Sequence, residues 1–123
     1  MNETGVGGTA ERDNSTLFHL AEIDAWQAAQ ASGSYVPAAF AAESFIHTSH
    51  RDQLEGVYGR YYAGRTDLIV LEIDRAAVVD AVGIAQVIDE LSPSTGDVFP
   101  HIYAPLPVAS VRAVHDVQAF RQR

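Results

Sequence analysis

The spacing of apolar and polar residues changes several times along the chain, and each change marks an element. Leu68-Ile69-Val70-Leu71-Glu72-Ile73-Asp74 opens as a continuous apolar run and then alternates. That pattern predicts a strand buried on both faces at its start, with one face opening later to a cleft or to solvent. Leu17-Phe18-His19-Leu20 reads as a second, shorter buried strand. Between them the period turns helical. Leu54, Val57, Tyr58 and Tyr61 follow the i, i+3, i+4, i+7 stripe of an amphipathic helix. Ser49 reads as its N-cap, with Asp52 three positions on and Gly64 as the stop, which predicts a helix over 49–63.

An earlier stripe, Ile23, Trp26 and Ala29, carries Asp24 where a helix dipole favours an anion, and Gly33 ends it. Pro37 biases Val36 away from helix, so 34–37 is extended. Residues 38–43 and 76–81 each fit a turn of helix, 84–91 fits either helix or strand with strand preferred, 92–97 a turn, and 108–114 a final strand. Phe99 to Pro107 holds three prolines in nine positions, which predicts a rigid irregular segment and argues against a central strand. Strands separated by helices without a regular βαβ beat predict an α+β domain on a largely antiparallel, twisted sheet. Residues 1–15 are rich in Gly, Thr, Asn and charge, and are expected to form a flexible leader ahead of a single domain at 16–123.

Composition narrows the chemistry. A chain of 123 residues supports one domain with a real core. Without cysteine there is no thiolate nucleophile, disulfide framework or Cys-type zinc site. Sixteen acidic residues against eight basic ones, all arginine, give a net charge of -8, which disfavours general nucleic-acid binding but permits one phosphate on one or two placed arginines. No apolar run is long enough to span a membrane and no secretory pattern opens the chain, so a cytoplasmic protein without membrane association is expected.

Histidine is the residue type with most to offer. His19, His47 and His101 each sit among aromatic and aliphatic neighbours, while His50 and His115 lie beside charged residues and read as surface groups. Imidazole gives or takes a proton near neutral pH, and hydroxyls such as Thr48 and Ser49 can orient it or bind a polar ligand. His47 also precedes the predicted helix start, where backbone N–H groups favour an anion. A core role is the ordinary reading for any one of the three; a shared polar cavity satisfies all three jointly. Other chemistries fail on spacing. The chain lacks the local histidine pair of many zinc sites, so no metal is expected. His47-Thr48-Ser49 has no second His-x-Ser/Thr partner for a phosphoesterase, no G-x-S-x-G is present, and Gly5-Val6-Gly7-Gly8 follows no strand.

Taken together, Leu17-Phe18-His19-Leu20, Trp26, Tyr35, the stretch from Glu43 to Ser49 and Phe99-Pro100-His101-Ile102-Tyr103 resemble an uncharacterised, mainly bacterial family. That family is a domain of unknown function with Gly-Phe-Ile-His-Cys-Ser and Phe-Pro-His-Ile-Tyr-Gly signatures, grouped with the ADP-ribosyltransferase-like superfamily. Here Ser44, Thr48 and Ala104 stand where the signatures have Gly, Cys and Gly. The resemblance implies a split β core of mostly antiparallel strands with flanking helices, and a cleft for NAD as substrate or a related nucleotide. It makes His47, His101 and Glu90 the candidate catalytic residues, and His19, His47, Ser49 and Tyr103 the candidate ligand-binding ones. The arginines that RNA 2′-phosphotransferases of this superfamily use on phosphate have no clear counterparts. A non-catalytic nucleotide or metabolite binding domain, and a small-molecule enzyme using the histidines for acid–base work without NAD, stand as alternatives.

Overall fold

Over residues 13–122, which the computed structural model describes, helices and short strands alternate. The first half runs β1 (Thr16–Glu22), α1 (Ile23–Ser32), β2 (Ser34–Tyr35), α2 (Phe40–Glu43), β3 (Ile46–His47) and α3 (Arg51–Tyr61). The second half runs β4 (Leu68–Asp74), α4 (Arg75–Val82), β5 (Val87–Leu91), β6 (Val98–Ile102), β7 (Leu106–Pro107), β8 (Val111–Asp116) and α5 (Val117–Arg121). The class is α+β, and every strand pairing is antiparallel. Most of the expected leader, residues 1–12, lies outside the described residues. No described helix is long and apolar enough to cross a membrane.

The apolar run at 68–74 becomes the middle strand of a sheet ordered β1-β4-β8. Because side chains alternate across a strand, its two faces feed two separate cores. Leu71 and Ile73 join Leu17 and Ala21 of β1 in one cluster with Tyr35, Ile46, Val78 and Ile102. Leu68 and Val70 join Phe18 and Leu20 on the opposite face, against Leu54 and Tyr58 of α3 and Val117 and Phe120 of α5.

A second sheet, ordered β3-β6-β5, is bridged to the first just past the end of β3. The backbones of Phe18 and Ser49 exchange N–H···O bonds of 2.9 and 2.8 Å. Strand β6 is a correction to the expected irregular segment: it contains Pro100 and is the central strand. Proline is tolerated because its missing N–H faces the β3 side, not β5. The Pro100 carbonyl, pointing the same way, accepts from the N–H and the hydroxyl of Thr48 at 3.2 and 2.6 Å, and β3 has already ended, pairing only Ile46 with Ile102 and His47 with His101.

One helix boundary also differs from expectation. Helix α3 starts at Arg51, and its N-cap is His50, not Ser49. Gln53 at the third helical position turns its side-chain oxygen back to accept from the His50 N–H at 2.8 Å, and its amide donates to Asp97 and to the Val98 carbonyl. Ser49 is used instead in the bridge to β1, one residue before the cap. His50 is correspondingly buried, and His115 is half-buried with its Nε2–H donating to Glu72 at 2.9 Å. Neither is the solvent-facing group that its charged neighbours suggested. Residues 84–86 form a 3-10 turn before β5, and 108–110 another before β8, so both expected strands begin about three residues late.

Candidate functional site

The alternation that builds the second sheet also builds the site. Ile46 and Ile102 point into the core, so their neighbours His47 and His101 share the opposite face. These two histidines are direct cross-strand partners, with ring centroids 5.2 Å apart at 79°. Phe45, one residue before β3, lays its ring on both. It stacks on His101 at 4.2 Å and 19°, and meets His47 edge-on at 4.7 Å. Phe45 can reach back because Ser44 is left-handed, at φ 68°, and reverses the chain after α2. Glycine would take that conformation at less cost.

Each of the two imidazoles is held by a carboxylate. His101 Nδ1–H donates to Glu90 Oε1 at 2.6 Å, and the Tyr103 hydroxyl donates to the same oxygen at 2.6 Å. These two donors, Tyr103 first, hold the Glu90 carboxyl below its usual range, and the carboxylate in turn pushes the Tyr103 phenol up. His47 Nε2–H donates to Glu43 at 2.9 Å. A carboxylate can only accept, so each bond fixes a tautomer. In the neutral rings the remaining nitrogens, Nδ1 of His47 and Nε2 of His101, are then acceptors. Among the described residues neither makes a hydrogen bond.

Both histidines line a cleft of about 550 Å³ between the second sheet, α2 and α3. Its walls are mainly apolar and aromatic, with Phe18, Phe99, Tyr61 and Tyr62 prominent. Ser49 lines it as well, and although the residue is 97% buried its hydroxyl bonds to none of the described residues. The first-turn residues of α3, Arg51 and Asp52, do not line it, so the expected helix N-terminus is not part of the cleft.

His19 is placed apart. Phe18 and Leu20 of β1 face the cleft, and alternation turns His19 to the other side of the sheet. There its Nδ1–H donates to the His47 carbonyl at 2.6 Å and its Nε2 accepts from the Tyr35 hydroxyl at 2.8 Å. Burial pushes its pKa down to about 4, outweighing the carbonyl that favours the charged form. His19 is thus a neutral tie between β1 and β3, and it touches His47 only through the backbone. Of the residues singled out in the sequence, His47, His101 and Ser49 meet in the cleft, Glu90 and Tyr103 stand behind His101, and His19 lies beneath. The sequence reading missed Glu43, Phe45 and Arg60. Glu43 stands four residues before His47, a spacing that a search for carboxylate partners of each histidine would have flagged. Among the described residues no group of His, Asp and Glu is arranged to hold a metal ion.

Residues 20–114 match the family described as protein of unknown function, DUF952. The chain belongs to the DUF952 family. The matched span includes every cleft residue named above except Phe18, and begins one residue past His19. Among solved structures, this DUF952 chain is similar to the X-ray crystal structure of protein CC0527 from Caulobacter crescentus, at 26% identity and a TM-score of 0.72, over 82% of this chain and 84% of that one. The solution NMR structure of CC0527 is similar at a TM-score of 0.68, over 83% and 84%. No curated protein matches the chain.

Proposed function

We propose that the cleft binds NAD or a related nucleotide on an ADP-ribosyltransferase-like fold, and that the protein is an enzyme acting at the nicotinamide ribose. One observation carries this reading: two cross-strand imidazoles, each oriented by its own carboxylate and each with a second ring nitrogen that bonds to none of the described residues, line an aromatic-walled cleft. A ribose offers neighbouring hydroxyl donors that suit such a pair, and a nucleobase or nicotinamide ring suits the aromatic wall. A cleft of this size lies within the usual range for small-molecule sites.

In the reaction, His101 is the base. Its Nε2 takes the proton from water or an acceptor hydroxyl, that oxygen bonds to C1′ of the ribose, and the C1′–N bond breaks with its electron pair leaving on neutral nicotinamide. Glu90, held as a carboxylate by Tyr103, balances the imidazolium so formed. His47 holds a ribose hydroxyl, with Ser49 beside it. His19 fixes the backbone from which His47 projects.

Calorimetric titration with NAD, ADP-ribose and nicotinamide, followed by mass spectrometry of the products, tests this. Binding of NAD with release of nicotinamide is expected. Binding without products would leave a nucleotide-binding domain and remove the enzyme; no binding of any of the three would remove the nucleotide reading.

A further inference from the structure

Arginine placement in this chain is uneven in a way that bears on the ligand. Arg65 pairs with Glu22 and Asp67, Arg75 with Asp89, and Arg121 with Glu55. Arg112 donates to Thr16, and Arg51 lies over the ring of Phe120. Arg60, like Arg51, makes no hydrogen bond or ion pair among the described residues, its one contact of note being the Tyr61 ring at 5.8 Å, but unlike Arg51 it lines the cleft. In a chain with twice as many acids as bases, an arginine left unpaired beside a cavity is a donor held open.

We infer that the cleft takes a nucleotide ending in a single phosphate, of the nicotinamide mononucleotide kind, in preference to a dinucleotide. This rests on reading the cleft as a nucleotide site. The guanidinium of Arg60 can grip one phosphoryl group with two parallel N–H···O bonds. Among the described residues it is the sole cation lining the cleft apart from the histidines, whose acceptor nitrogens suit the ribose instead, as does the Ser49 hydroxyl, which bonds to none of the described residues. A diphosphate places a second phosphoryl group in the same space. That group would meet apolar walls such as Leu91, Pro93 and Val57, or the Glu43 carboxylate, and among the described lining residues no second arginine stands to offset its charge. The first turn of α3 offers no substitute, since Arg51 and Asp52 lie outside the lining. A terminal phosphate presents its full charge to the exposed Arg60 and turns its remaining oxygens to water, whereas a bridging phosphate carries one charge fewer for the same fork.

The test is a calorimetric cycle on the full chain with nicotinamide mononucleotide, nicotinamide riboside and NAD, each titrated into the wild type and into Arg60→Gln. Arg60 is exposed, so the variant folds; thermal melts check this. The mononucleotide is expected to bind more tightly than NAD, and more tightly than the riboside by roughly tenfold or more, as one charge-assisted fork supplies. Arg60→Gln should remove that tenfold advantage and leave the riboside within about twofold of its wild-type affinity. NAD binding more tightly than the mononucleotide, or a mononucleotide affinity indifferent to Arg60→Gln, overturns the inference while leaving a nucleotide site standing. Failure of all three ligands to bind overturns both.

Discussion

In the β1-β4-β8 sheet the middle strand is covered on both faces, whereas in the β3-β6-β5 sheet one face is covered and the other looks into the cleft. The two sheets are built from the same antiparallel pairing, but they differ in length and in what fills their outward positions. Strands β1 and β4 pair over seven residues each, and β4 fills both faces with aliphatic side chains apart from Glu72 and Asp74. Strand β3 pairs over two residues, and its open face carries His47 against His101. Both sheets bury an aliphatic face in one shared core, and only the second turns a pair of histidines to the cleft. His19 stands at the join, on the first sheet by sequence and tied to the second by its hydrogen bond. An imidazole enclosed on all sides, like His19, has both nitrogens occupied, whereas His47 and His101 each keep one nitrogen without a hydrogen bond among the described residues.

The difference can be broken most forcefully from the buried side. Leu71→Ala, in β4 at full burial, should cost about 2–5 kcal/mol in denaturant melts, whereas Leu91→Ala, mostly exposed on β5, should cost under about 0.5 kcal/mol. Equal losses would remove the distinction between the sheets.

The next effect is one of pH. Folded His19 stays neutral down to about pH 4, while the unfolded chain takes up that proton near 6.5. Between those values the unfolded state binds more protons, so the stability this group contributes is complete above about pH 6.5 and is lost as pH falls toward 4. The total is roughly 3 kcal/mol. Melts across this window should show the loss in the wild type and a shallower one in His19→Asn. A wild-type profile no steeper than that of the variant would contradict a buried neutral His19.

Smaller again is the cost of losing the cap. Gln53→Ala removes one bond to the start of α3 and two to the turn before β6, and should cost about 1–2 kcal/mol. Ser49→Ala, which leaves the cap intact, should be milder in melts and show its effect in ligand affinity. The smallest stability effect belongs to the site itself. His47→Ala should abolish nucleotide turnover at a cost below about 1 kcal/mol, since the side chain is 57% exposed and its carboxylate partner is open to water.

The same contrast explains what the sequence disclosed. The buried sheet was legible because hydrophobic period reports burial. The run at 68–74 and the stripe Leu54, Val57, Tyr58 became β4 and α3, and Gly33 ends α1 in the left-handed conformation at φ 82°. The site was legible only as residue types. That His47 and His101 face each other follows from the register of β3 on β6, and register is a tertiary fact. Pro100 hid β6, because whether proline breaks a strand depends on which side its missing N–H faces. The α3 cap was misplaced because Ser49 is the better cap by type, but its backbone is held by Phe18. Nor could the sequence say that His19 points away from the cleft until the faces of β1 were assigned by their neighbours.

The central claim is that His47 and His101 share a ligand-binding face from which His19 is excluded. Imidazole ¹H–¹⁵N correlation spectra of the full chain, recorded with and without a nicotinamide nucleotide, test it directly. His19 should appear as the Nδ1–H tautomer and keep it in both samples, while the signals of His47 and His101 move together on titration. Movement of His19 as large as that of the other two, or no response from His47 and His101 to a nucleotide that calorimetry shows to be bound, would contradict it.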